Sequence, residues 1–162
     1  MLEELRRVVQ EVSAVSDLTR ALKIIVDRTQ AIMASEVCSV YLFDEKSKRY
    51  VFRATRGLNQ EVVGKVSLGE SEGLVGYVAE RAEPVNIENV SVHPRNQHIA
   101  EIGEDALNSF LGVPIIHQGQ VLGVLVVQQK TKRKFDESEE AFLITLSAQL
   151  AGVIAHAKAT GT

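Results

Sequence analysis

At 162 residues, 45% of them apolar, the chain has the size and composition of one folded domain with a substantial core, and lacks the sparse hydrophobicity of a disordered segment. Its 18 basic and 21 acidic side chains leave a formal net charge of −3, and only 5% of residues are aromatic, which argues against a nucleic-acid partner. A single cysteine, Cys38, excludes an internal disulfide and a cysteine-rich metal centre.

The start, Met1-Leu2-Glu3-Glu4-Leu5-Arg6-Arg7, is charged and is no signal peptide; no stretch is expected to reach membrane-spanning length, so a cytoplasmic protein with no membrane partner is expected. Leu2, Leu5, Val9 and Val12 recur at three- and four-residue spacing, one stripe of a helix over about 1–14. A second helix runs to Met33 from an N-cap at Ser16. Strands follow at 37–43 and 49–55, with Cys38 a small core residue in the first. A short strand-like run covers 65–68.

Gly73-Leu74-Val75-Gly76-Tyr77-Val78-Ala79-Glu80-Arg81 reads as a short helix with glycines on one side, stopped by Pro84 and followed by a short strand at 85–87. Residues 88–105 are polar, with weak helical signals at 99–102, and are expected to form a lid. Residues 109–127 read as a hairpin, two apolar runs flanking a short polar turn that contains Gly119; its strands are apolar on both faces, so helices must cover both faces of its sheet. Lys130-Thr131-Lys132-Arg133-Lys134 is a solvated turn. Asp136 and Glu139 form a capping box for a last helix over about 136–158. Its Leu143, Leu146, Leu150, Val153 and Ala157 make a heptad seam, while Phe142 and Ala148 face the sheet.

This order of elements resembles a GAF domain over essentially the whole chain. The runs Glu36-Val37-Cys38-Ser39-Val40-Tyr41-Leu42, Ala54-Thr55-Arg56-Gly57-Leu58, Phe110-Leu111-Gly112-Val113-Pro114-Ile115-Ile116, Leu122-Gly123-Val124-Leu125-Val126-Val127-Gln128-Gln129 and Phe135-Asp136-Glu137-Ser138-Glu139-Glu140 carry the likeness. They resemble the N-terminal GAF domain of the nitrogen-related enzyme I family, the phosphoenolpyruvate–protein phosphotransferases of the bacterial nitrogen phosphotransferase system. The resemblance implies an α+β fold: a six-stranded antiparallel sheet with helices on both faces. It also implies one GAF domain over 1–162, an excised regulatory module whose parent's catalytic domains are absent here.

Chemistry is scarce. His93, His98, His117 and His156 show no metal-ligand spacing and join no nucleophile, so no catalytic residue, metal or cofactor is expected. The family's methionine sulfoxide reductases work through several cysteines, and its bilin binders need an attachment cysteine or a large cavity; one cysteine in an apolar strand suits neither. The family's cyclic-nucleotide pattern is degenerate here, and Lys130 with Glu139 is read as a structural ion pair.

The remaining reading is a sensor. A pocket is expected between the sheet and the 73–81 helix, lined by Ser39, Tyr41, Arg53, Thr55, Val75, Arg95 and Phe110, with Arg53 and Thr55 on one face of their strand. The resemblance suggests an amino acid or related nitrogen metabolite, such as glutamine, as the effector, coupled to later domains of the parent enzyme. The alternative is a dimerisation and docking module with no bound ligand. A homodimer through the terminal helices is expected from the two apolar stripes.

Overall fold

The computed structural model describes residues 2–96, 103 and 107–160. Six strands, β1 (Val37–Asp44), β2 (Arg49–Arg56), β3 (Ser67–Gly69), β4 (Val85–Ile87), β5 (Ser109–His117) and β6 (Gln120–Gln129), form one sheet. Their order is β3-β2-β1-β6-β5-β4, every neighbouring pair antiparallel. The β5–β6 hairpin closes through Gln118-Gly119, both at positive φ (51° and 78°), the pair of left-handed residues that a two-residue reversal needs.

Strand alternation sends two residue sets to opposite faces. Cys38, Val40 and Leu42 of β1 join Leu111, Val113, Leu125 and Val127 in a core closed by α1 (Leu2–Ser13), α2 (Leu18–Met33) and the final helix. Val37 and Tyr41 join Phe52, Phe110, Val124 and Val126 on the other face, covered by α3 (Gly73–Arg81) through Leu74, Val75 and Val78. The final helix, α4 (Glu137–Ala159), starts at the expected capping box: Asp136 accepts from the Glu139 amide and Glu139 from the Asp136 amide, each at 2.8 Å. The fold is thus the α+β arrangement that the resemblance implied.

Several expectations change. The N-cap of α2 is Asp17, whose carboxylate accepts from the Thr19 amide, and not Ser16. The buried stripe of α1 is Leu5, Val8 and Val12, turned so that Leu2 is exposed. The strand expected at 65–68 is Ser67–Gly69. Ala148 faces outward, whereas Leu143, Leu146, Leu150 and Ala157 are all buried within this chain. The seam is therefore not spare surface: α1 and α2 fold back beside α4 and cover it. At 23 residues α4 is also long and apolar enough, by length and composition alone, to cross a membrane, contrary to expectation, yet its seam is core. The expected helical signals at 99–102 lie outside the described residues.

Candidate functional site

Facing α3, the sheet presents a floor that is apolar except for a few neutral polar groups. Ser39 and Thr55 stand opposite each other on β1 and β2 and share a hydrogen bond of 2.9 Å between their hydroxyl oxygens. They are 0% and 4% exposed. Two hydroxyls joined by one bond use one O–H donor, so a second buried donor is left to a further acceptor. Gln128 of β6, 5% exposed, pairs in register with Val37 and Phe110 and therefore lies on the same face, diagonal to Ser39. Tyr41, Phe52 and Phe110 surround these groups, with the Tyr41 and Phe52 rings tilted at 5.3 Å.

Two local features shape this floor. Gly112 lies under α3, where a Cβ would come within 2.7 Å of the Phe110 ring and 2.9 Å of Val78, so only glycine lets the helix settle this close. A bulge follows between Val40 and Tyr41: Val40 pairs with Ala54 and Tyr41 with Phe52, leaving Arg53 unmatched.

That bulge corrects the expected alternation. Thr55 and Phe52 face α3, while Arg53 lies close enough to Lys158 of α4 for its charge to add to the burial that lowers the Lys158 ammonium pKa. Arg95 is also held elsewhere. Its guanidinium donates to Glu80 at 3.1 Å and to the Ser71 carbonyl, and lies 5.0 Å from the centre of the Tyr77 ring, on the outer side of α3. The Arg95 bond first, then one that the Ser71 hydroxyl donates at 3.2 Å, hold the Glu80 carboxyl below its ordinary range. Ser39, Tyr41, Thr55, Val75 and Phe110 all lie on the α3 face. The expected ion pair changes partner as well. Glu139 takes Arg133 at 3.1 and 3.2 Å while serving its capping box, and Lys130 bonds through its amide to Glu36.

The GAF domain family model matches residues 17–154. This chain belongs to the GAF domain family. It is similar to the GAF domain of an Acinetobacter phosphoenolpyruvate-protein phosphotransferase, with 51% identity and a TM-score of 0.92 over 99% of this chain and 96% of that one. The GAF domain of a Coxiella burnetii phosphoenolpyruvate-protein phosphotransferase is 46% identical, with a TM-score of 0.94 over 99% and 96% of the two chains. The Escherichia coli K12 protein named phosphoenolpyruvate-dependent phosphotransferase system is 44% identical over 160 residues, 99% of this chain. The chain spans 21% of that relative's length.

Within this GAF domain, sequence reasoning missed Phe52 and Gln128. Gln128 carried a readable signal, since it is a polar residue continuing the two-residue phase of Val124 and Val126. Phe52 carried none, because the bulge sits between it and Thr55.

Proposed function

We propose that this GAF domain is the small-molecule-sensing regulatory module of a phosphoenolpyruvate–protein phosphotransferase. The single observation that carries the reading is the buried Ser39–Thr55 pair with a hydroxyl donor to spare, beside Gln128, in an otherwise apolar face. A buried hydroxyl donor is ordinarily paired, so the Ser39–Thr55 pair suits a ligand with neutral hydrogen-bonding groups. Glutamine fits this chemistry: its side-chain amide offers both donor and acceptor to the hydroxyls. Its carboxylate would take the first-turn amides of α3, where Glu72 makes no side-chain cap. Arg53, near Lys158 of α4, and Arg95, bonded to Glu80 and the Ser71 carbonyl, would not contribute.

Phosphotransfer would belong to the parent's other domains and act on this chain only as the regulated output. Incubation with labelled phosphoenolpyruvate is expected to leave no label on any histidine of this chain. The sensing role is tested by thermal shift and calorimetry with glutamine, 2-oxoglutarate and cyclic nucleotides, because a ligand of the native state raises its melting temperature. Glutamine is expected to stabilise the wild type and not Thr55→Val. Stabilisation by 2-oxoglutarate alone, or glutamine binding untouched by Thr55→Val, would sink the reading.

A second reading, a homodimerising module, is favoured by the outer face of α4. Ile144, 38% exposed, lies there with exposed Thr145, Ala148 and Gly152, and no charged residue occurs from Ala141 to Ala157. Sedimentation of wild type and Ala148→Asp decides it: a dimer that the substitution dissociates supports this interface, and a monomer at high concentration removes it.

A further inference from the structure

A side chain that accepts from the amide two residues on recurs along this chain. Asp17 accepts from Thr19 at 3.2 Å, Asn59 from Glu61 at 3.0 Å and Asn89 from Ser91 at 3.2 Å. His93 accepts from Arg95 in the same way, through Nδ1 at 3.1 Å. An asparagine oxygen keeps its lone pairs at any pH, and a carboxylate loses its charge only in acid. Imidazole differs. Its Nδ1 accepts only while unprotonated, and histidine is the side chain that changes charge between about pH 5 and 8.

The surroundings of His93 give that difference a consequence. It is half-buried in the segment after β4, with its ring centred 5.2 Å from that of Tyr77 on α3. The guanidinium carbons of Arg95 and Arg81 lie 5.0 and 5.3 Å from the centre of the same Tyr77 ring, and Arg81 donates to the Tyr77 hydroxyl at 3.3 Å. Each guanidinium already has its carboxylate: Glu80 for Arg95 at 3.1 Å, and Glu83 for Arg81 at 3.2 Å. Among the described residues these charges meet the Tyr77 ring from α3, from the turn after it and from the segment of His93 itself. An imidazolium would be a third cation with no carboxylate of this cluster left over. Its Nδ1–H would also face the Arg95 N–H, donor against donor.

The fastened segment therefore takes His93 unprotonated at Nδ1, and the released segment binds one more proton. By linkage, acid favours release. We propose that His93 is a proton-sensitive latch, whose protonation unfastens the segment after β4 from Tyr77 and loosens α3. The Arg95 guanidinium keeps Glu80 through this step, because carboxylates are neutralised only at lower pH. The latch thus loosens the segment before it is freed outright. Since α3 covers the Ser39–Thr55 floor, the effect on ligand access rests on the sensing role proposed above, whereas the latch itself is read without any ligand.

The test follows amide and imidazole signals of this chain from about pH 8 to about pH 5, with amide exchange taken relative to the unfolded-chain rate at each pH. The Arg95 amide is expected to shift with the same midpoint as the His93 ring. Protection of Arg95 and Tyr77 is expected to fall about fivefold across that range, the loss of one hydrogen bond, with β6 unchanged. His93→Asn keeps an acceptor for the Arg95 amide, as Asn89 does for Ser91, and removes the titration. It is expected to hold protection level over the same range. An Arg95 amide that ignores the His93 titration, wild-type protection that stays flat, or an unchanged pH response in His93→Asn overturns the proposal.

Discussion

Gly123 and Gly119 lie four residues apart, and their substitution is expected to differ sharply in cost. A Cβ at Gly123 would fall 2.2 Å from the Tyr41 carbonyl oxygen of the neighbouring strand, which cannot yield without breaking the β1–β6 ladder. At Gly119 nothing lies within 4 Å, and only the φ of +78° is costly. Gly123→Ala is therefore expected to lose about 3 kcal/mol in urea unfolding, the upper end of overpacking costs. Gly119→Ala is expected to lose about 1–2 kcal/mol, the ordinary cost of a left-handed residue with a Cβ; equal losses would contradict the assignment. Cys38 makes a second residue-scale case. It is fully buried in the helix-covered core, and burial first, with the Asp27 charge adding, pushes its thiol far up. Since the thiolate is the nucleophile, native protein is expected to resist iodoacetamide and to react only as it unfolds. Stoichiometric labelling under native conditions, with the fold intact by circular dichroism, would count against this burial.

Among the elements, the segment after β4 is fastened to α3 by an ion pair whose pH dependence follows from its geometry. Glu80 accepts from Arg95 and Ser71, and its folded pKa is lowered by those bonds. A depressed carboxyl pKa contributes its stabilisation above the unfolded value, about 4.3, and loses it as pH falls through the folded value. Acidification below about pH 4 is thus expected to free Arg95 from α3 before the sheet is lost, which amide exchange at Asn96 and Tyr77 would register. Exchange there that stays flat until global unfolding would argue against the tether. This fastening was not legible in the sequence, because Arg95 and Glu80 are fifteen residues apart and only the folded path of the chain joins them. What was legible was local or periodic: the Asp136–Glu139 box, the glycine-marked helix and the hairpin turn. The bulge at Arg53 was not, since a one-residue shift in pairing leaves no mark on an alternating pattern until the partner strand is known. The α4 seam was read correctly as apolar and wrongly as free, because periodicity identifies a buried stripe without naming what buries it.

At the scale of the molecule, one sheet separates two layers of very unequal strength. On one side α4 has 23 residues and buries Phe142, Leu143, Leu146, Leu150 and Ile154 against α1, α2 and β5. On the other, α3 has nine residues and is held by Leu74, Val75 and Val78 with the flanking Ala79. A nine-residue helix is too short to persist without its packing, since isolated helices below about 12 residues are marginal in water. Both layers rest on the same strands, so α3 can lift without unpairing β1 from β6, whereas α4 cannot leave without exposing the larger core. Sub-global opening is therefore expected on the α3 side, where the Ser39–Thr55 pair lies, and sensing elements are drawn from such low-stability regions. Native-state hydrogen exchange tests this directly. Amides of α3 are expected to exchange through openings costing about 2–4 kcal/mol less than those of α4 and β6, a gap within the span of local openings in small domains. A ligand seated on the floor would close that gap by slowing α3 alone. If α3 instead exchanges at the global rate together with β6, the two layers open as one unit, and the α3 face is a fixed wall.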